Sequence, residues 1–463
     1  METFSSIVST LDSFMWGPWM LFLLVGTGIL LSFRLKFLQF THLFYSLKLA
    51  LNPYFKNKSK GDISHFKALM TALAATIGIG NIVGVATAVV GGGPGAVFWM
   101  WITALFGMAT KYGEAVLAIK FRVVDKSGNM AGGPMYYIER GMGVKWLAVL
   151  FAVFGVVASF GIGNLSQSNA VAKGIAQSSG IAPWITGIAL CLLTAAVILG
   201  GVKRIADSAG IIVPFMALLY VITGLIIIIM NIQLVPAAFK EIFSSAFTLK
   251  AGFWGLIGNT VRLGIERGVF SNEAGLGSAP IAAAAAKTDH PSRQALVSMT
   301  GTFLDTIIVC SVNGIVLTMA GLYHSADKEA AGTLTYFSFA QFLPHVGEVV
   351  VTVSVIFFAY STILGWSYYG ERCLYYLTES NRASVIYRTI FSLFIFFGAV
   401  MNLELAWSIS GIFNAAMAIP NLIALVALSG LIVSITKEFF EKYYLKNPEL
   451  TTDEPLGPDG KNL

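Results

Sequence analysis

An apolar stretch long enough to cross a membrane, residues 68–92, is interrupted by glycines near its middle. The interruption is the sequence GIGN at 78–81, where two glycines one residue apart weaken regular helical hydrogen bonding. Broken backbone at bilayer depth is tolerated only where it faces protein or a water-filled cavity. The stretch therefore predicts a helix that unwinds at mid-membrane and offers free main-chain groups to a solute. Close packing of small residues against neighbouring helices is the alternative interpretation.

The rest of the chain indicates the class of protein. Of its 463 residues, 56% are hydrophobic and only 12% are charged, which is far more apolar than a soluble domain. Segments of about 20 apolar residues recur and predict an all-α polytopic membrane protein with eleven transmembrane helices. The predicted spans are about 17–33, 68–91, 95–121, 146–175, 182–200, 208–231, 252–286, 294–322, 347–374, 384–402 and 405–436.

The positive charges indicate the orientation. The net charge of +6 does not predict a nucleic-acid partner, because the lysines and arginines sit in short connections between spans. Most fall on alternate connections, and the opposite side holds only Lys173, Lys240, Lys250 and Lys328. The positive-inside rule then places the N-terminus outside and the C-terminus in the cytoplasm. We expect a multi-pass plasma-membrane protein in contact with lipid, with no obligate protein partner.

The spans divide the chain into four regions. Residues 1–67 hold an extra transmembrane helix and an amphipathic interfacial segment, 68–231 a first five-helix repeat, 252–436 a second, and 437–463 a polar tail expected to be disordered. The two repeats start from opposite sides of the membrane, so they form an inverted repeat. The first helix of the second repeat should then be broken too. It contains GVFSNEAGLGSAP at 268–280, and two matching breaks predict a transporter.

A family resemblance covers nearly the whole chain. Residues 92–107, GGPGAVFWMWITALFG, resemble the signature of the alanine or glycine:cation symporter family, and GIGN, GNMAGGPMYYIERG at 128–141 and ERGVFSNEAGLGSAP at 266–280 are similar to the same family. The resemblance implies the five-plus-five inverted-repeat fold of the leucine transporter. It also implies import of a small neutral amino acid, alanine or glycine, by alternating access with sodium as the co-transported ion.

A zwitterionic amino acid needs partners for both of its charges. Its carboxylate should lie against the N–H groups of Ile79, Gly80 and Asn81, where the first broken helix resumes with the positive end of its dipole. Gln167 is the preferred side-chain partner of the same carboxylate. Polar contacts between helices are the alternative role of Gln167.

The ammonium group needs acceptors. The carbonyls around Thr76 and Phe270 and the side chains of Ser271 and Asn272 are the candidates, with helix capping at the break as the alternative for the two side chains. Trp366 is expected to close the apolar side of the pocket and to keep large side chains out. Packing or anchoring at the interface is the alternative for that indole.

The fold resemblance also implies a sodium site. Its ligands would be the hydroxyls of Ser361 and Thr362, the carbonyl of Phe358 and the carbonyls of Ala74 and Ile77. Five neutral oxygens suit a hard monovalent cation. Because Ser and Thr also bond routinely to the preceding helical turn, a purely local role is the alternative.

A second cation site is a further hypothesis. It would lie beside Asn81 and use Thr76, Ser271 and Asn313.

Charged residues inside the spans need an explanation. Lys111 with Glu114, and Arg262 with Glu266, stand three and four residues apart, so intrahelical ion pairing is favoured over a charged gate. Glu273 and Asp305 also lie within spans. Carboxylates at this depth are candidate proton carriers.

Those carboxylates make a proton-coupled carrier of amino acids or small amines the main alternative. A channel is disfavoured, because two mid-membrane breaks suit a closed, alternately accessible site. An intramembrane enzyme is also disfavoured, since no HExxH, GxSxG or paired-cysteine motif is present and the histidines fall in connections or at span ends.

Overall fold

The computed structural model describes residues 2–52, 59–247, 258–326, 331–401 and 404–444. In this part of the chain, α-helices are joined by short connections and by one small hairpin of β1 (Val123–Val124) and β2 (Met130–Ala131). The α-helices are α1 Glu2–Met15, α2 Pro18–Arg34, α3 Leu38–Thr41, α4 Leu43–Ala50, α5 His65–Thr76, α6 Val85–Gly92, α7 Gly95–Lys120, α8 Pro134–Met142, α9 Lys145–Phe160, α10 Ser166–Ser179, α11 Pro183–Ile198, α12 Gly201–Met230, α13 Val235–Ala246, α14 Asn259–Asn272, α15 Ala279–Ala283, α16 Pro291–Thr302, α17 Ser311–Ala320, α18 Ala331–Phe342, α19 Val346–Thr378, α20 Asn381–Val400, α21 Glu404–Ala427 and α22 Ser429–Glu438.

Helix occupies each predicted span over its described residues, while 252–257 lie outside them. By length and composition, eight of the described helices are apolar enough to cross a membrane, or nine when one bent pair is counted. Helix α11 is apolar but shorter than this criterion requires. The structure therefore shows a mostly helical, multi-pass protein, and the count of eleven spans stays a prediction.

The two ends of the chain differ from expectation. Helix α1 precedes the first predicted span and packs against α21. The start of the polar tail is helical, because α22 continues into a π-helical segment, Phe439–Tyr443. Phe439 is fully buried there, and its ring lies 5.1 Å from the ring of His290. Expected disorder is thus wrong for residues 437–443, and 445–463 lie outside the described residues.

The interfacial segment consists of two short helices, α3 and α4. Phe40 and Phe44 are exposed on them while Leu38 and Leu49 are buried. One apolar face thus points away from the protein, as expected for a segment at the membrane surface.

The first broken span is α5 and the helical residues Gly80–Gly92, which bend by 54° at the break. Helix α5 ends at Thr76, and the chain resumes as a π-helical segment, Gly80–Gly84, before α6. The break occupies the predicted glycine-rich sequence. A π-helical turn, which is wider than an α-helical turn, lies at the edge of the break. Such turns are frequently found at functional sites.

The second broken span is α14 and α15. Three residues between them, Glu273, Gly275 and Gly277, have φ values of 56°, 93° and 82°. Backbone in this left-handed region favours glycine, which explains the glycine pair of the sequence. The second predicted break is therefore confirmed.

A single buried guanidinium joins the two broken spans at one end. Arg122 follows α7 and donates to the carbonyls of Ala286 (2.7 Å), Ala284 (3.3 Å) and Lys60 (3.2 Å). Ile63 also pairs with Ala286 in a parallel bridge. The segment before α5 is thereby fixed to the segment after α15.

Two further π-helical segments lie around the breaks, Gly161–Leu165 between α9 and α10 and Phe303–Cys310 between α16 and α17. The largest buried apolar cluster joins α2, α7, α9, α19 and α21. The polar groups described next lie beside this packed core.

Candidate functional site

The two breaks lie against each other. A Cβ atom built on Gly80 would lie 3.1 Å from Cδ1 of Phe270 and 3.6 Å from Cα of Ser271. A side chain at position 80 would therefore crowd the Phe270 ring, and glycine allows the first break to approach the end of α14 closely. The structure therefore brings together the two glycine-rich sequences that define the predicted pocket.

Main-chain donors of the first break meet two amide side chains. The N–H of Gly78 donates to Oδ1 of Asn81 at 2.9 Å, and the N–H of Ile79 donates to Oε1 of Gln167 at 3.4 Å. The N–H of Asn81 is used in a turn with the carbonyl of Gly78 (3.1 Å). The N–H of Gly80 opens the π segment, where a helix has no acceptor of its own. Ile79, Gly80 and Gln167 thus converge, while the Asn81 N–H is already engaged.

Asp305 is the centre of a polar cluster between the breaks. Its Oδ1 accepts from Nδ2 of Asn81 (2.7 Å), and its Oδ2 accepts from the hydroxyls of Ser271 (2.9 Å) and Thr306 (2.7 Å). Asn313 donates to the carbonyl of Asn81 at 2.8 Å. The structure thus brings Asn81 and Ser271 together at the Asp305 carboxylate, and Asn313 joins them through the Asn81 carbonyl. The sequence suggested Asp305 only as a proton carrier.

Two predicted substrate residues have local partners. The hydroxyl of Thr76 is buried and donates to the carbonyl of Leu73 at 3.4 Å. The amide of Asn272 donates to the Thr306 hydroxyl (3.1 Å) and accepts from the N–H of Ala274 (2.9 Å). The Asn272 amide thus has local partners in the unwound segment and in Thr306, and its contact with substrate stays a prediction.

Trp366 lies between the α9–α10 connection and the second break. A Cβ atom on Gly163 would lie 2.2 Å from Cβ of Trp366, so glycine is needed at that position. The indole lies beside the Glu273 carboxylate and 5.7 Å from the Tyr369 ring. This position near the second break is compatible with the predicted role of Trp366 in excluding large side chains, and that role stays a prediction.

The predicted sodium ligands converge. The hydroxyls of Ser361 and Thr362 each lie 2.9 Å from the carbonyl oxygen of Phe358, and 3.4 Å and 3.5 Å from that of Ile77. Ala74 is fully buried one helical turn before Ile77. The two hydroxyls therefore bond to the preceding turn of α19, as in the local alternative, and also lie near the Ile77 carbonyl of the first break. Sodium binding at this position stays a prediction.

Lys111 supports the second break. This lysine is buried in α7, and its Nζ donates to the carbonyl of Asn272 at 2.6 Å. That carbonyl ends α14, where helical carbonyls lack intrahelical partners. The lysine side chain therefore caps the carbonyl end of this helix.

Glu114 supports the other side of the same break. Its Oε1 accepts from the N–H groups of Gly275 and Gly277, each at 3.1 Å, and from Nδ2 of Asn421 at 2.6 Å. Among the described residues no ion pair within 4.0 Å joins Lys111 to Glu114, so the predicted intrahelical pair is wrong. Both charges serve the unwound backbone instead, because its free polar groups need partners away from water.

Of the other charged residues within predicted spans, Arg262 and Glu266 pair with each other and Glu273 lies at the second break. The predicted pair of Arg262 and Glu266 is confirmed at 3.5 Å, and Arg267 lies 3.3 Å from the same glutamate. Glu273 is buried, and its Oε2 accepts from the hydroxyl of Ser278 at 2.6 Å. Within the described residues, no three His, Cys, Asp or Glu side chains form a group that could hold a metal ion.

Two cavities reach the first break from the side on which α6 lies. One, of about 430 Å³, is lined by Gly80 and Phe270, and the other, of about 360 Å³, by Asn169 and Lys173; Ile79 lines both. A third cavity, of about 910 Å³, has only residues remote from the breaks in its described lining. Both of the first two cavities therefore adjoin the first break at Ile79.

Two adjoining broken helices around buried main-chain groups are typical of secondary transporters. The solved structures agree on the fold. The crystal structure of MhsT in complex with L-phenylalanine superposes with a TM-score of 0.55 at 15% identity, covering 84% of this chain and 91% of that one. This is the leucine-transporter fold.

The chain belongs to the sodium:alanine symporter family, whose sequence pattern matches residues 1–452. It is 59% identical to the sodium/alanine symporter AgcS of Methanococcus maripaludis, over 95% of this chain and 98% of that protein. It is 40% identical to the putative sodium/proton-dependent alanine carrier protein YrbD of Bacillus subtilis, over 92% and 90%. The protein is thus a membrane symporter that couples sodium to an amino acid, and it is not an enzyme.

Proposed function

We propose that this symporter imports alanine and glycine with sodium across the plasma membrane by alternating access. The observation that carries the proposal is the meeting of the two breaks at Gly80 and Phe270, beside the oxygens of Ile77, Ser361 and Thr362. The sodium/alanine symporter AgcS, which is 59% identical to this chain, supports the choice of substrate.

The topology in this proposal has eleven spans. An N-terminal span precedes ten core spans in two inverted repeats of five, with the N-terminus outside and the C-terminus in the cytoplasm. The two cavities that reach Ile79 then open to the outside, and the large cavity lined by Glu139 and Glu379 lies on the cytoplasmic side. The structure is accordingly assigned to the outward-facing state.

The substrate lies between the breaks. Its carboxylate is bound by the N–H of Gly80 and by the amide of Gln167, which already touches the first break. Its ammonium group is bound by the carbonyls near Thr76 and Phe270 and by the Ser271 hydroxyl. The close contact between Gly80 and Phe270 leaves little room there, which favours substrates with small side chains.

Sodium binds at the five oxygens of Ala74, Ile77, Phe358, Ser361 and Thr362. Bound there, the cation joins α5 to α19 and orders the first break. This coupling lets the sodium gradient drive uptake, because a ligand shifts a conformational equilibrium only by its difference in affinity between states.

A second cation fits beside Asp305. Its carboxylate oxygens are shared by Asn81, Ser271 and Thr306, so a cation there would contact both breaks at once. A hard cation prefers such oxygen ligands. This position is the second cation site of the proposal, and it adds Asp305 to the ligands predicted from sequence.

Uptake into proteoliposomes tests the function. We expect radiolabelled alanine to accumulate when an inward sodium gradient is imposed, and accumulation to stop when sodium is replaced by choline at fixed pH. Unlabelled glycine should compete, whereas leucine should not. Absence of sodium-dependent uptake of either small amino acid would refute the proposed substrate class.

Proton coupling is the second candidate. Glu273 and Asp305 are buried carboxylates beside the breaks, and the relative YrbD is described as sodium/proton-dependent. In the same liposomes, alanine accumulation driven by an inward proton gradient without sodium would support a proton-coupled carrier and contradict sodium coupling.

A further inference from the structure

A stripe of exposed side chains runs from the end of α2 along the interfacial helices α3 and α4. It consists of Lys36, Phe40, Phe44 and Lys48, which stand four positions apart and are all exposed. The exposed fractions of the two rings are 50% and 90%. We propose that this exposed stripe binds anionic phospholipids, with the lysines at the phosphates and the rings among the acyl chains. Such binding is independent of the substrate and of the co-transported ion.

The charges around the exposed stripe have one sign. Between Asp12 and Asp62 the sequence has no acidic residue. It has six basic residues there, Arg34, Lys36, Lys48, Lys56, Lys58 and Lys60. Among the described residues, no ion pair involves Lys36 or Lys48. A lipid surface with net negative charge attracts such lysines, whereas a zwitterionic surface does not, so the charge pattern selects anionic headgroups.

The position of the exposed stripe along the chain places it at headgroup depth. The helical stretch Ser6–Arg34 is long and apolar enough to cross a membrane, and Lys36 follows two residues after its end. A basic amphipathic segment at such a position lies in the plane of the interface, with its apolar side chains at the boundary between headgroups and acyl chains. A lysine there can keep its methylene groups on apolar surface while its ammonium group reaches a phosphate.

A rigid turn fixes the exposed stripe to the end of α2. Lys36 and Phe37 both have left-handed backbone, with φ values of 55° and 54°. The N–H of Phe37 donates to the Ser32 carbonyl at 2.7 Å, and the buried Gln39 amide donates to the Ser32 hydroxyl at 2.8 Å. Residues other than glycine hold such backbone only where the surroundings stabilise it. The exposed stripe therefore has a set orientation relative to the span.

Protein covers the other faces of this segment. Leu49 is buried in one apolar cluster with residues of α5. The Tyr45 hydroxyl accepts from Nη1 of Arg293 at 3.3 Å. The His42 ring lies 4.5 Å from the Phe440 ring. These contacts hold α4 against the other helices, so a lipid bound at the exposed stripe lies one helix away from the first broken span.

The test measures lipid contact at the exposed stripe in the full chain, reconstituted in vesicles. Thr41→Cys places a thiol between the two rings, and Leu218→Cys, at an exposed position of α12, is the matched control. Both are made with Cys191→Ala, since that native cysteine is partly exposed, and both carry a bimane fluorophore. The measured quantity is the quenching of bimane by nitroxide-labelled phosphatidylglycerol, compared with nitroxide-labelled phosphatidylcholine, in vesicles of otherwise unlabelled phosphatidylcholine.

We expect phosphatidylglycerol to bind beside Thr41→Cys with about a fivefold higher binding constant than phosphatidylcholine, which is the gain from one basic residue near an anionic surface. Leu218→Cys should be quenched equally by the two lipids. Lys36→Gln together with Lys48→Gln should remove the preference at position 41, whereas Lys36→Arg together with Lys48→Arg should keep it. Unchanged quenching at Leu218→Cys shows that each variant is inserted in the membrane.

Equal quenching of Thr41→Cys by the two lipids, or quenching by neither, would overturn the proposal. A preference that survives Lys36→Gln with Lys48→Gln, or that is equally strong at Leu218→Cys, would also overturn it. The C-terminal residues 445–463 lie outside the described residues and contain four acidic side chains, which are the other candidate for the exposed stripe. If the preference appears only in a chain that ends at Tyr444, the acidic tail occupies the exposed stripe and anionic lipid does not.

Discussion

The sodium site makes the sharpest prediction, which concerns the hydroxyl of Thr362. This oxygen lies 2.9 Å from the carbonyl of Phe358 and 3.5 Å from that of Ile77, so it belongs to the group of oxygens proposed to hold the ion. Thr362→Val keeps the shape of the side chain and removes the oxygen. Thr362→Ser keeps the oxygen and is the matched control.

The size of the expected effect follows from the free energy that one polar contact to a charged group contributes. Such a contact contributes about 1.5–3 kcal/mol. With about 1.4 kcal/mol for each tenfold change in a binding constant, loss of the hydroxyl should raise the sodium concentration for half-maximal uptake by roughly 10- to 100-fold. The serine variant should stay within a few-fold of the natural protein.

The assay is alanine uptake into proteoliposomes at a series of sodium concentrations, with choline keeping the ionic strength constant. The maximal rate at saturating sodium controls for protein that inserts poorly. An unchanged sodium requirement in Thr362→Val would refute the assignment. If Thr362→Ser raised the sodium concentration for half-maximal uptake by the same factor, the lost hydroxyl would not explain the effect of Thr362→Val.

Three further outcomes are expected. Gly80→Leu should abolish alanine binding in equilibrium dialysis, because its side chain would meet the Phe270 ring, while normal yield of folded protein controls for insertion; retained binding would contradict the pocket. Glu114→Leu should lower the thermal unfolding temperature, because it removes the acceptor of the Gly275 and Gly277 N–H groups at a cost of about 1–3 kcal/mol, and an unchanged temperature would contradict that role. Burial lowers the pKa of His290 to about 4, and its Nδ1 accepts from the N–H of Ser292 at 3.2 Å. This folded-state pKa lies below the ordinary value of 6.5. The contribution of His290 to the free energy of unfolding is therefore fully present above pH 6.5 and is lost as the pH falls towards 4. Thermal unfolding against pH should show this fall, and His290→Asn should weaken it.

The breaks were predictable because glycine weakens a regular helix and allows backbone conformations that other residues disfavour. Gly78 and Gly80, and later Gly275 and Gly277, stand in segments otherwise apolar enough to be regular spans, and each pair marks an unwound stretch. The hydroxyl pair of Ser361 and Thr362 was found through the family resemblance, and the structure places it beside Ile77.

The buried charges were harder to predict. Spacing along one helix shows which residues share a face, but it does not show which other helix lies opposite. Lys111 and Glu114 were therefore assigned to each other, although their partners, Asn272 and Gly275, are more than 150 positions away. Asp305 was predicted only as a candidate proton carrier, since nothing local reveals that Asn81 and Ser271 both donate to its carboxylate.

Helix α1 was missed for a different reason. Asp12 and the small polar residues before it make this segment less apolar than a typical span, so composition alone does not mark it. Its helical form depends on packing against α21, where the Trp16 indole is anchored to the Gly411 carbonyl. Tertiary contact commonly supplies most of the stability of such a helix.

The guanidinium of Arg122 has a consequence for the route by which substrate leaves. It holds the carbonyls of Lys60, Ala284 and Ala286 together, beside the main-chain bonds of Ile63 to Ala285 and Lys287, so the segment before α5 is joined to the segment after α15. These two segments cannot separate unless both sets of bonds break. In the import cycle proposed above, we therefore expect the two broken spans to move together, relative to the helices that flank them, when substrate is released.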